Sequence, residues 1–251
     1  MGLTELLLVG IAAAVAGGLN AVAGGGSLLL FPALLAAGLP ALAANVTTTV
    51  SIWPGYVGTA VGYRAELQGQ RRAVAVLAVP ALLGGATGAV LLLTTPESVF
   101  EAVVPALVIL ASLLLALQTR VTRWVQGVPG SAGGLRSPLL HAALFLAAVY
   151  GGYFGGALGV ILLAVLAVLL PGNLQCLNAL RAVLSLLVNT IALGAFALFG
   201  PVDWQVVAVA APASLVGGYA GARVARRLPV QALRTGVVVF GLAVGVALLL
   251  T

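Results

Sequence analysis

Lysine is absent from this chain and acids are nearly so, with five carboxylates against eleven arginines in 251 residues. The one cysteine, Cys176, excludes an internal disulfide and any cysteine-built metal cluster. The one histidine, His141, excludes a histidine-rich metal site, so no metal or other cofactor is expected. After Glu5 no acid falls inside an apolar run, because Glu66, Glu97, Glu101 and Asp203 sit in loops or at segment ends. Neither a buried carboxylate proton relay nor a hydrolytic acid pair is available, and an enzyme is not expected. Charge as a whole is scarce: charged residues make up 6% and hydrophobic residues 62%, with a mean hydropathy of +1.22. Soluble domains carry about 25% charged and about 45–50% apolar residues. No soluble core of this length absorbs so much apolar surface, so the chain reads as a polytopic membrane protein.

What is present is long Ala/Leu/Val runs without polar alternation. In lipid, where backbone groups must be satisfied internally, such runs select helices over a barrel. The expected class is an all-α membrane protein whose first partner is the bilayer. The sequence pI of about 10.5 does not point to nucleic acid here; a few arginines fixing membrane orientation account for it. Near the N-terminus, Leu6 to Ala16 is apolar and Ala21-Val22-Ala23 resembles a signal-peptidase site. A positively charged n-region is missing, and the segment is expected to stay in the mature fold.

Shifted by 133 residues, the chain aligns with itself without a gap. Gly18 falls on Gly151, Gly26 on Gly159, Asn45 on Asn178, Gly84-Gly85 on Gly217-Gly218, Gly88 on Gly221 and Pro96 on Pro229. The expected organisation is a first transmembrane repeat over 1–118, a cytoplasmic linker over 119–137 and a second repeat over 138–251. Apolar segments fall at about 3–20, 27–38, 43–63, 73–93 and 99–117, and again at about 138–156, 159–170, 174–199, 203–222 and 231–250. The second segment of each set is too short: twelve residues at about 1.5 Å rise cover about 18 Å of a ~30 Å hydrocarbon core.

Arginine placement orients the halves. Ten of the eleven lie in or beside three loops: Arg64/Arg71/Arg72, Arg120/Arg123/Arg136 and Arg223/Arg226/Arg227/Arg234. Loops 94–101 and 200–204 carry acids and no arginine. The positive-inside rule places the first three in the cytoplasm and the last two outside. Repeat-equivalent loops then lie on opposite sides, so the repeats are inverted and both termini lie outside. Either each short segment spans, giving five plus five crossings, or it is re-entrant, giving three plus three. A parallel four-plus-four arrangement would push Arg223 to Arg234 outward.

Inverted repeats point to a site where short or glycine-broken segments occupy matching positions. Gly24, Gly25, Gly26 and Ser27 form one such break, and Gly156 and Gly159 belong to the other. Their backbone N–H groups, at the start of a helix inside the membrane, suit an anion; close helix packing is the other reading. On the third segment of the second half, Asn178, Arg181 and Ser185 recur along one helix face, with Asn189 a turn beyond. Asn45 and Thr48 are the first-half equivalents of Asn178 and Arg181. Arg181 has no intramembrane carboxylate to pair with. It either reaches toward water from near the helix start or awaits an anion as counter-ion.

The stretches AVAGGGSLLLFPALLAAGLPALAANVTTTVS, YGGYFGGALGVILL, LNALRAVLSLLVNTIALGAFALFGPVDW and LVGGYAGARVARRL together resemble the TauE/SafE family of sulfite exporter-like permeases. The likeness spans nearly the whole chain. It implies transport of a small sulfur-containing anion, sulfite or an organosulfonate, across a bacterial inner membrane. Gly24 to Gly26, Asn45, Gly156, Gly159, Asn178 and Arg181 match the family's motif positions. The expectation is therefore a secondary transporter working by alternating access. A passive anion channel and a membrane enzyme or accessory subunit stand as alternatives, and self-association into a homo-oligomer is left open.

Overall fold

A computed structural model describes residues 2–22, 24–127, 134–224 and 230–250. Among these there are ten helices and no strand. They are α1 (Leu3–Val22), α2 (Ser27–Ala36), α3 (Ala41–Gly62), α4 (Arg71–Thr94), α5 (Glu97–Gly127), α6 (Pro138–Tyr153), α7 (Leu158–Leu169), α8 (Leu174–Phe199), α9 (Trp204–Val224) and α10 (Val230–Leu250). The apolar runs become helices because lipid offers the backbone no other partner than itself. The all-helical expectation holds, and four helices are long and apolar enough to cross a bilayer: Thr4–Ala21, Arg71–Thr94, Glu97–Gln118 and Leu174–Phe199. Helix α5 continues through residues 119–127 of the stretch expected to be a linker. The rest of that linker over 128–133, and Arg226, Arg227 and Pro229, lie outside the described residues.

Helix α2 has ten residues and α7 twelve. At about 1.5 Å per residue each covers about half the hydrocarbon thickness. Each folds back on its predecessor, α2 on α1 and α7 on α6. The turns are built alike. Gly24 takes φ +73° in the first, and Ala157, its counterpart 133 residues on, takes φ +56° in the second. That left-handed conformation is strained for alanine. Gly155 (φ +75°) shares the second turn.

Beyond the hairpins, the two halves interleave instead of standing side by side. Helix α1 packs along α9, α4 along α6, α3 on α9 and α4 on α8. Small residues permit this, since lipid supplies no hydrophobic drive between helices and close backbone approach must supply the attraction. A Cβ on Gly217 would strike the Ala14 carbonyl, one on Gly218 the Gly55 carbonyl, and one on Gly88 the Val149 carbonyl.

Contact pairs also give directions. Ser51 bonds Ser214 and Gly58 meets Tyr219, so α3 and α9 run parallel. Gly10 meets Val209 and Gly18 meets Gly221, so α1 runs parallel to α9 as well. The indole of Trp53 donates to the Thr190 hydroxyl at 2.9 Å, while Val46 lies against Gly200, so α3 and α8 are antiparallel. Ser112 meets Gly241 and Ile109 meets Gly245, which makes α5 and α10 antiparallel too.

Large apolar side chains stay exposed on the outer helices, among them Leu7, Leu8 and Ile11 on α1, Val79 and Leu83 on α4, Leu146 on α6 and Val216 on α9. A belt of this extent is a lipid-facing surface. The buried polar residues lie inside it, concentrated on α3 and α8: Asn45, Thr47, Thr48, Thr49, Ser51 and Thr59 on one, Arg181, Ser185 and Asn189 on the other.

Candidate functional site

Arg181 sits on the second turn of α8, a helix capped by Asn173, whose side-chain oxygen accepts from the Gln175 N–H at 2.9 Å. The arginine does not reach water: it is 1% exposed, among the largest fully buried side chains in the protein. Its Nη2 donates to the Ala21 carbonyl at the end of α1, at 3.4 Å. Among the described residues its Nε and Nη1 have no hydrogen-bond partner. The ionisable groups facing it are the Tyr56 and Tyr63 hydroxyls, and no carboxylate is among them. The Tyr63 hydroxyl donates to the same Ala21 carbonyl at 3.4 Å.

Both glycine breaks converge on this guanidinium. A Cβ built on Gly24 would lie 2.7 Å from the Gly159 Cα and 2.6 Å from Arg181 Nη1. One built on Gly159 would lie 2.7 Å from the Gly24 Cα and 3.0 Å from the same nitrogen. Glycine is required at both positions, because the two turns and the arginine occupy the space a side chain would need. Ser27 fastens the crossing, its hydroxyl donating to the Gly155 carbonyl at 3.0 Å.

The backbone donors differ from the expected set. Gly24 N–H is spent on the Leu19 carbonyl at 3.0 Å and Gly26 N–H on the Asn20 side-chain oxygen at 2.8 Å, so neither is free. The tight turn itself consumes them. Gly25, Gly156 and Gly159 N–H groups find no acceptor among the described residues. The Gly156 carbonyl accepts from the Tyr150 hydroxyl at 2.7 Å, bracing the second turn.

The remaining residues singled out from sequence divide. Ser185 is 3% exposed, one turn beyond Arg181, and its carbonyl accepts from the Asn189 amide at 2.8 Å. Thr48 is buried with its hydroxyl unpartnered. Asn45 is buried, but its amide is committed to the Tyr153 carbonyl at 3.0 Å. Asn178 is only half-buried, being closer to the helix start.

Two residues of the cluster escaped the sequence reading. Asn20 is 2% exposed; its oxygen holds Gly26 and its Nδ2 has no partner among the described residues. Tyr56 is 3% exposed and its hydroxyl faces Asn20, Asn189 and Arg181. A lone amide inside an apolar run just before the glycines was the available signal for Asn20. For Tyr56 it was the 133-residue offset, which places it opposite Asn189.

Helices of this length and apolarity, wrapped around a buried polar centre, define a multi-pass membrane protein. Over residues 9–248 the chain matches the family described as "Sulfite exporter TauE/SafE", and it belongs to that family. It is 30% identical over 236 residues to the "Probable membrane transporter protein YfcA" of Escherichia coli strain K12, covering 88% of this chain and 81% of that one. It is 26% identical over 226 residues to a "Probable membrane transporter protein" of Haemophilus influenzae, covering 89% and 86%. It is 25% identical over 248 residues to the "Probable membrane transporter protein ORF9" of a Sinorhizobium species, covering 95% and 90%. No solved structure matches the chain.

Proposed function

We propose that the protein is a secondary transporter of a small anion, bound at Arg181 and moved across a bacterial inner membrane by alternating access. One observation carries the reading: a fully buried guanidinium that, among the described residues, has two unpartnered nitrogens and no carboxylate facing it. An arginine at the centre of a bilayer costs at least about 2.5–3.5 kcal/mol without a partner. The unspent groups of the two glycine turns and of the polar cluster are again donors: the N–H groups of Gly25, Gly156 and Gly159, the last against the guanidinium itself, and Asn20 Nδ2. Such a set suits an oxyanion, whose oxygens offer lone pairs in several directions, and repels a cation. The relatives' names favour transport and the family's name favours sulfite as cargo, an organosulfonate being the kindred anion that the sequence resemblance also implies.

The burial of Arg181 fits an occluded conformation, from which the two hairpins must part to admit ligand. Antiparallel α3 and α8, and antiparallel α5 and α10, support an inverted repeat, because each pair joins helices that correspond under the 133-residue shift. The crossing of Gly24 and Gly159 is then the pseudo-symmetric pivot, and the halves rock about it. Gly24 to Gly26, Ser27, Gly156, Gly159 and Ser185 line the site, and Thr48 supplies a hydroxyl in the half that lacks the arginine.

The test is sulfite and sulfonate flux into proteoliposomes. Arg181→Ala should abolish it while the purified protein still elutes as a single folded species. Wild-type flux from that variant would overturn the assignment of the site. Saturable flux supports a carrier, whereas steady single-channel current without saturation would make the protein a channel.

A further inference from the structure

A second arginine cluster lies apart from Arg181, where the α3–α4 loop meets α8. A cavity of about 680 Å³ opens there, lined by Arg64, Gln68, Arg71, Leu67, Val74 and Val183 among others. Arg64, Gln68 and Arg71 are exposed, whereas Leu67, Val74 and Val183 are half-buried and form an apolar floor. Neither Arg64 nor Arg71 makes an ion pair or a side-chain hydrogen bond among the described residues. The cavity does not end in water on every side. From Ala75, which also lines it, an exposed apolar stripe continues up α4 through Val79 (58% exposed) and Leu83 (59% exposed). These residues are spaced four apart and so stack on one helix face.

We propose that this cavity binds the headgroup of an anionic phospholipid, with an acyl chain lying along the Ala75–Val79–Leu83 stripe. Charge and shape both favour that occupant. Two guanidinium groups are opposite in sign to a phosphate diester and offer its two unesterified oxygens paired N–H donors. Gln68 adds an amide for the polar part of the headgroup. A free inorganic anion would use the arginines but leave the apolar floor and the stripe without a role. A zwitterionic lipid would use the stripe but bring no net charge. Basic pockets at helix ends on the arginine-rich side of a membrane protein hold anionic headgroups through this combination. Because Val183 lies two residues from Arg181 on α8, a lipid seated here touches the helix that carries the buried cation.

The experiment is native mass spectrometry together with thermal unfolding of the purified chain, titrated with phosphatidylglycerol, phosphatidylcholine or glycerol phosphate. Phosphatidylglycerol should form bound adducts and raise the unfolding temperature, while phosphatidylcholine and glycerol phosphate should do neither. The double variant R64Q/R71Q should bind phosphatidylglycerol roughly thirtyfold more weakly, at about 1 kcal/mol for each arginine. R120Q, on the exposed end of α5, should leave binding unchanged. Should the double variant fail to fold, the single variants R64Q and R71Q, each expected to lose about fivefold, carry the same comparison. Equal binding of phosphatidylcholine, or undiminished binding by the arginine variants, would overturn the proposal. An equal response to glycerol phosphate would assign the cavity to a free anion instead.

Discussion

Asn20 does two jobs with one amide. Its oxygen accepts from Gly26 N–H and so fixes the first turn, while its Nδ2 stays buried and unpartnered within the group that surrounds Tyr56 and Arg181. Asn20→Asp separates the two. The carboxylate keeps an oxygen for Gly26 N–H, so the turn survives. Its second oxygen replaces a donor and brings a negative charge beside an arginine that has none. The variant should therefore fold at least as stably as the parent, since an uncompensated buried charge gains its partner. Its flux should fall to background, because the counter-ion is now built in and the transported anion must compete with it. Thermal unfolding and proteoliposome flux, measured on one preparation, check both halves of this expectation. Wild-type flux from Asn20→Asp would place the anion elsewhere. Asn20→Ala differs in kind, as it strands the Gly26 N–H and should destabilise by about 1–3 kcal/mol.

At the scale of elements, the hairpin crossing is where the fold tolerates least. Gly159→Ala adds a methyl 2.7 Å from the Gly24 Cα and 3.0 Å from Arg181 Nη1. Backbone cannot yield as a flexible side chain can, so overpacking here should cost about 1–3 kcal/mol and shift the guanidinium. Gly194→Ala on α8 is the matched control, for nothing lies within 4 Å of its added Cβ. Helix propensity alone then favours alanine, by about 0.5–1 kcal/mol. Unfolding midpoints should move in opposite directions, and flux should fall only for Gly159→Ala. Equal behaviour of the two would mean that the breaks do not touch.

Much at this scale was legible in the sequence: the apolar runs mark where the helices lie, and the short second segments of each half became α2 and α7, although α5 runs on past its apolar segment to Gly127. What a run cannot say is how far around its axis a helix is turned. Asn178 and Arg181 share a face by spacing, yet Asn178 lies within the first turns of α8 and remains half-buried while Arg181 is enclosed. Nor can spacing show that a tight turn consumes the N–H groups of Gly24 and Gly26. Those hydrogen bonds arise only when α2 folds back on α1.

For the whole molecule, orientation in the membrane reduces to two residues. Gln68 and Pro201 are 133 positions apart, both exposed, in loops that precede α4 and α9. In a parallel duplication they lie on the same side of the membrane. In an inverted one they lie on opposite sides, Gln68 within the arginine-rich face and Pro201 at the acid-bearing one. Translocating arginine-rich loops is disfavoured, so the arrangement proposed above assigns Gln68 to the cytoplasmic side. The antiparallel course of α3 against α8 agrees, since a parallel duplication would have these corresponding helices point the same way. In a Cys176→Ser background, Pro201→Cys in intact cells should react with a membrane-impermeant maleimide. Gln68→Cys should react only after the membrane is opened. Labelling of both from one side would leave the arginine site intact but remove the rocking of inverted halves, because that motion needs each half to present the same surface to opposite faces of the membrane.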